Sequence, residues 1–313
     1  MPQPMTYDFV HYLEAKRTVD DRALNRHVWR SLSRAVADLD RDAPLEVLEI
    51  GAGIGTMLER TIEWGLFPGD VVYTAFDALP ENITEAGARL QRWASKHGFE
   101  IAEQGGDLVL MREGQTITAR LEAVDLFTFI HREQPARSWD LLIAHAFLDL
   151  MDIPAALPGI LSLLRPDGLF YFSINFDGQT ILEPVLDADF DAHVEALYHR
   201  TMDERMVGGK PSGDSQAGRH LFGHLKQAGC NVLDAGSSDW VVFAGPGGYP
   251  ADEAYFLQFI IHTIDTALRH HPDLGDPARF ADWVAARHRQ VERGELVYIA
   301  HQLDFVGRAP SSG

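Results

Sequence analysis

With one cysteine, Cys230, in 313 residues, the chain can form neither an internal disulfide nor a cysteine-based zinc site. It has no apolar run of 18 residues and no basic-then-apolar leader, so a membrane span is not expected and a cytoplasmic location is. Cationic side chains are scarce: 27 Lys and Arg stand against 46 Asp and Glu, for a net charge of −19. A surface of that sign repels phosphate backbones and anionic membranes. Small molecules are then the expected partner, nucleic acid is not, and oligomerisation stays open. Internal repeats and low-complexity linkers are also missing, so one domain with insertions is expected.

What the chain does have is concentrated in Leu45–Gly55. After Pro44 a short apolar run reads as a buried strand, Gly51, Gly53 and Gly55 follow, and Thr56–Trp64 reads as a helix ending at Gly65. Glycines let the backbone turn tightly against a ligand while the helix N-terminus presents free amides. A dinucleotide fingerprint would space its glycines G-x-G-x-x-G. Here the spacing is G-x-G-x-G with Glu49 two residues ahead, and a carboxylate at the mouth suits a cationic ligand better than a pyrophosphate. The next strand, Val71–Phe76, ends on Asp77, placed to accept ribose hydroxyls. A helix from Glu81 or Asn82 to about His97 and a β-hairpin over 107–124 come next.

Three later segments complete the pattern: Glu122-Ala123-Val124-Asp125-Leu126-Phe127, the apolar strand beginning Ser138-Trp139-Asp140, and Leu164-Arg165-Pro166-Asp167-Gly168 leading into a fifth strand. In this order the motifs, over about residues 44–175, resemble those of class I S-adenosylmethionine-dependent methyltransferases. The resemblance implies a Rossmann-like, doubly wound α/β sheet of seven strands with the last antiparallel. It implies S-adenosylmethionine as cofactor, held by Glu49, Gly51, Ala52, Gly53, Asp77, Ala78 and Ala144, with Asp125 and the Leu126 amide on the adenine. The expected parts of the single domain are an N-terminal helical cap (1–42), a cofactor-binding core (43–175), a lid-like insertion (176–218) and a C-terminal part of the sheet with two added helices (219–313). No Asn/Asp-Pro-Pro-Tyr segment follows the fourth strand and no paired-glutamate arginine-methylation loop is present, which points away from nucleobase, glutamine and arginine acceptors.

Outside those motifs, residues 6–40 read as one or two helices, the second capped by Asp20 or Asp21, with Leu24, Val28, Leu32, Ala35, Val36 and Leu39 inward. Arg22, Arg26, Arg30 and Arg34 form a stripe that is either a solvated face or, through Arg22, a clamp on the cofactor carboxylate. Asn175 to Gly178 is expected to leave the fifth strand for an irregular insertion. That insertion and residues 7–22 are either a mobile cover or fixed packing. Helices over 251–270 and 277–293 precede a last strand, Leu296–Val306, that puts Val297, Ile299, His301, Leu303 and Phe305 on one face, with His301 a hydrogen-bonded core residue.

Methyl transfer from a sulfonium asks mainly for alignment and removal of a proton. His145, at the end of the fourth strand, is the first candidate base, with Asp149 and Tyr171 sharing second place. Tyr7, Tyr12, Tyr171 and Asn175 are candidate substrate contacts. His220 and His224 lie at i, i+4 without a third ligand, so no metal is expected. Methyl transfer to an O, N or C nucleophile of a small molecule is the expected function. The alternatives are a non-catalytic cofactor-binding subunit and a non-methyl use of the cofactor, such as aminopropyl transfer.

Overall fold

The computed structural model describes residues 7–39, 42–134 and 139–311. The ends of the expected 6–40 helical segment, and Ser138 at the start of the fourth expected strand, lie outside the described residues. The chain runs α1 (Phe9–Ala23), α2 (Arg26–Ala37), β1 (Leu45–Ile50), α3 (Thr56–Glu63), β2 (Val71–Asp77), α4 (Pro80–Lys96), β3 (Glu100–Gln104), β4 (Asp107–Arg112), β5 (Gln115–Ala123), α5 (Leu126–Glu133) and β6 (Trp139–His145). It continues through α6 (Ile153–Leu161), β7 (Leu164–Glu183), α7 (Ala188–Asp203), the short pair β8 (Met206–Val207) and β9 (Lys210–Pro211), and α8 (Ala217–Gln227). The last elements are β10 (Asn231–Ser237), β11 (Trp240–Val242), α9 (Glu253–Leu268), α10 (Pro277–Glu292) and β12 (Val297–Arg308).

One sheet carries the order β10-β12-β7-β6-β1-β2-β5-β4-β3, with β11 beside β12. The central strands β5, β2, β1, β6 and β7 are parallel, and β12 enters antiparallel between β7 and β10. These seven strands are the expected doubly wound sheet. Helices cover both faces, as parallel strands require, and split the core in two. One part, around Val47, Tyr73, Trp29 and Phe256, packs under α1, α2, α4 and α9; the other, around Leu48, Phe129 and Phe170, under α5, α6 and α8. No helix among the described residues is long and apolar enough to cross a membrane.

The main sheet carries three strands beyond the expected seven, β3, β4 and β11, while β8 and β9 pair apart from it. β3 pairs antiparallel with β4, so the hairpin extends the sheet edge beyond β5. β7 also departs from expectation. It does not end at Asn175 but runs to Glu183, because the first half of β12 supplies partners, Val297 to Ala300, for Thr180 to Glu183. On β12 the more buried face carries Tyr298, Ala300, Gln302 and Asp304, alternate to the set expected. His301 is consequently not in the core: it is one-third exposed, 2.8 Å from Asp239. Neither Asp20 nor Asp21 caps α2; Asn25 does, accepting from the amides of His27 and Val28, while Asp20 sits buried inside α1.

A buried carboxylate ties these pieces together. Asp304 accepts the backbone amides of Asn25 and Ile174, each at 2.8 Å. Ile174 has φ +57°, a left-handed conformation that a β-branched residue rarely adopts. Asp304→Ala leaves both amides without an acceptor and frees the Ile174 backbone from that conformation. We expect a loss of about 2–4 kcal/mol in urea unfolding. A loss under about 0.5 kcal/mol, the size of an ordinary surface change, would remove Asp304 from this role.

Candidate active site

The C-terminal ends of β1, β2, β6 and β7 open into a cavity of about 510 Å3. Ligands bind at this end of open α/β sheets, and the volume is that of a small-molecule site. It is roofed by side chains of α1, α7 and α9, among them Tyr12, Tyr198 and Phe259. α1 is held down: Tyr255 Oη meets the Asp8 amide, Arg17 bonds Glu63 at 2.9 Å, and Arg22 grips Glu253. The inserted segment is likewise packed, with Ser212 Oγ donating to the Leu150 carbonyl and the Asp214 amide to that of Asp149.

One end of the cavity is built from the glycine turn. Gly51 has φ +66°, and a Cβ there would come within 2.3 Å of the Phe147 ring, so only glycine fits between strand and ring. Asp77 fixes the turn: one oxygen accepts the Gly53 amide at 2.9 Å, the other the Leu79 amide and the Asn82 side chain. Asn82 Oδ1 is buried without a hydrogen-bond partner among the described residues, and Asn82 lines the cavity. Ala52, Ala78 and Leu126 line it too. Glu49 is buried, hydrogen-bonded by Tyr73 Oη at 2.7 Å, and burial pushes its pKa up to about 8. These groups suit S-adenosylmethionine: carbonyl and carboxylate oxygens for ribose hydroxyls, and a buried carboxyl that a cation would ionise.

That last property is measurable. Near pH 7 Glu49 is mostly protonated in the free protein, and a neighbouring ammonium or sulfonium favours its ionised form. Ligand binding should therefore release close to one proton at pH 7, with affinity for S-adenosylhomocysteine rising with pH up to about 8 and then levelling. Calorimetry in buffers of different ionisation enthalpy reads the proton directly. Affinity independent of pH between 6 and 8 would show that Glu49 does not sense the ligand.

Several expected cofactor contacts lie elsewhere. Asp125 is exposed; it caps α5, accepting the Thr128 and Phe127 amides, and the Thr128 hydroxyl together with those amides holds its carboxyl below the usual range. It is absent from the lining, although the flanking Val124 and Leu126 are in it. Helix capping engages Asp125 Oδ1. Ala144 is wholly buried behind the cavity. Arg22 is no clamp, since its guanidinium is committed to the buried Glu253.

At the other end, His145 and Asp149 face the cavity in different states. His145 shows both nitrogens engaged, Nδ1 with Ser173 Oγ at 2.9 Å and Nε2 with Asp20 at 3.0 Å. Burial lowers its pKa to about 4. Asp20 also accepts from Lys16 at 2.6 Å and Trp240 at 2.9 Å; against the upward push of burial, Lys16 and His145 hold it well below the usual range. A histidine fixed as a neutral link in such a chain has no free nitrogen for a substrate. The first expectation for the base is thereby corrected. Asp149, in a 3₁₀ turn just beyond β6, has a buried Oδ1 with no partner among the described residues, and burial raises its pKa to about 6.

Of the expected substrate contacts, Tyr12 lines the cavity, stacked on Phe259. Tyr7 stacks on His262 outside the lining. Tyr171 and Asn175 are buried away from the cavity, Tyr171 edge-on to Trp29 and Asn175 bonded to the Leu303 carbonyl. His220 bonds Asp214, and among the described residues no group of three or more His, Cys, Asp and Glu could hold a metal ion.

The comparisons with known proteins accord with this geometry. A family described as "Methyltransferase domain" matches residues 21–235. No curated protein matches the chain. Among solved structures, a SAM-dependent methyltransferase from Thiobacillus denitrificans, in complex with S-adenosyl-L-homocysteine, is 12% identical with a TM-score of 0.46, over 97% of this chain and 100% of that one. The cyclopropane synthase MmaA2 from Mycobacterium tuberculosis is 10% identical with a TM-score of 0.42, over 96% and 98%. Likeness at that level assigns no substrate. The family match spans more than half of the chain and coincides with the sheet, the glycine turn and Asp77: the chain belongs to the S-adenosylmethionine-dependent methyltransferases.

Proposed function

We propose that the enzyme methylates a small molecule at an O, N or C nucleophile, with Asp149 as the proton acceptor. The observation that carries this reading is a single cavity whose lining runs from Glu49, Gly51 and Asp77 to Asp149 under a roof of helices. A small molecule fits such a room, whereas the net charge of −19 works against nucleic acid. When bound, S-adenosylmethionine supplies a methyl carbon whose bond to a cationic sulfur breaks as the acceptor's lone pair arrives, leaving a neutral thioether. The chain's own residues do the rest. Asp77 and Asn82 would hold the ribose, and Glu49 would favour the cationic end. The roof keeps water from the reacting carbon, and Asp149, whose buried Oδ1 has no hydrogen-bond partner among the described residues, is free to take the acceptor's proton.

Incubating the protein with methyl-labelled cofactor and separate fractions of small molecules, RNA and protein tests this reading. Label should pass to the small-molecule fraction alone. Label in RNA or protein would contradict the acceptor class. An aminopropyl adduct, or cofactor binding without turnover in any fraction, would favour the non-methyl or non-catalytic alternatives.

A further inference from the structure

The acceptor half of the cavity contains more than Asp149. Phe176, Tyr198, Met202 and Tyr298 supply apolar and aromatic wall, and two polar side chains stand beside them in the lining. The first is Gln302 on β12: it is 2% exposed, and its Oε1 is buried with no hydrogen bond among the described residues. The second is Arg205, just past α7: its guanidinium makes no hydrogen bond or ion pair among the described residues and its charge reaches Asp149 only at longer range, whereas Lys16 in the same lining is taken by Asp20. The backbone of Arg205 is anchored, its amide to the Met202 carbonyl and its carbonyl to the Ser212 amide. In a chain with 46 acidic residues against 27 basic ones, an arginine at the cavity with no carboxylate at ion-pair distance among the described residues favours an anionic ligand. A buried carbonyl oxygen left without a donor is costly unless a ligand supplies one.

We propose that the acceptor is an anionic amphipathic molecule: an apolar body against the aromatic wall, a carboxylate paired with Arg205, and a hydroxyl or amine donating to Gln302 Oε1. Resting on the methyltransferase reading of the cavity, it narrows the substrate class. Arginine's planar fork receives a carboxylate at two points, which makes the pairing directional as well as electrostatic. A site with a dedicated acceptor for a donor group discriminates strongly against analogues lacking that group, because the site's own oxygen is then stranded.

The test uses the full chain saturated with S-adenosylhomocysteine, titrated by calorimetry with small hydroxylated carboxylic acids, aromatic and medium-chain aliphatic, and with their neutral primary amides. At least one acid should bind, more tightly than its amide by about tenfold or more. Arg205→Gln should abolish that preference while leaving S-adenosylhomocysteine affinity unchanged, and Arg205→Lys should restore part of it. Gln302→Leu should weaken the hydroxylated acids but not their deoxy counterparts. Melting curves with and without S-adenosylhomocysteine establish that each variant is folded. Equal binding of acids and amides, or no binding by any acid, would overturn the proposal. A loss of S-adenosylhomocysteine affinity in Arg205→Gln would also overturn it, by giving Arg205 to the cofactor carboxylate instead. Failure of the wild type to bind S-adenosylhomocysteine would strike at the cofactor end itself, a separate result from either.

Discussion

Asp149→Asn should lower kcat by about 10²–10⁴, the usual contribution of a positioned general base, with S-adenosylhomocysteine affinity within about threefold of wild type. Asparagine keeps the volume and the 3₁₀ turn, because the contacts that hold the turn use the backbone carbonyls of Asp149 and Leu150. What is lost is the capacity to take a proton. The pH profile gives an independent reading. Burial raises the Asp149 pKa to about 6, so kcat/KM of the wild type should climb with pH through about 6 to a plateau, and that limb should vanish in the variant. His145→Gln, by contrast, should leave the limb in place, since His145 is already neutral above about pH 4 and has both nitrogens engaged. Turnover of Asp149→Asn within threefold of wild type would transfer the proton to water or to the substrate's own groups.

Asp77→Ala should weaken the cofactor by at least about 100-fold. Hydrogen bonds to a charged group contribute roughly 1.5–3 kcal/mol each, and a ribose offers two. The variant loses more than a ligand contact, because Asp77 also holds the Gly53 amide, the Leu79 amide and Asn82 in place. Asp77→Asn separates the two effects: it can keep one acceptor for the turn while removing the charge, so its loss of affinity should be smaller. Equal affinity for S-adenosylhomocysteine in wild type and Asp77→Ala would place the ribose elsewhere.

The cofactor end was legible in the sequence because it is local. Glu49, the glycines and Asp77 lie within one strand-turn-helix-strand unit, and the pairing of β1 with β2 brings Glu49 level with Ala75 and Ile50 level with Phe76. Asn82 was read only as a helix start; its place five residues past Asp77 was the signal. The acceptor end was not legible because its parts come from far apart in the chain. His145 lost its role as base to Asp20 and Ser173, 125 and 28 residues away, and no periodicity reports such a pairing. Arg205 and Gln302 meet one cavity only through the insertion and the last strand. β7 hid its length because the partner that prolongs it, β12, comes more than a hundred residues later. The strand β3 could have been found: Gly105-Gly106 separates Glu100–Gln104 from Asp107–Arg112, a two-residue hairpin signal. On β12, Gln302 and Asp304 sit at core positions that a pattern of apolar residues alone would assign outward, so the buried face was read one residue out of step.

A crystal structure with S-adenosylhomocysteine tests the central claim, that one cavity joins a cofactor end to an acceptor end, most directly. The account predicts one ligand per chain, its ribose hydroxyls on Asp77 and Asn82 Oδ1, its amino group on the side of Glu49, and its sulfur facing the space bounded by Asp149 and Phe176. Adenosine seated instead among Tyr198, Met202 and Tyr298, with Asp77 and Asn82 untouched, would contradict it.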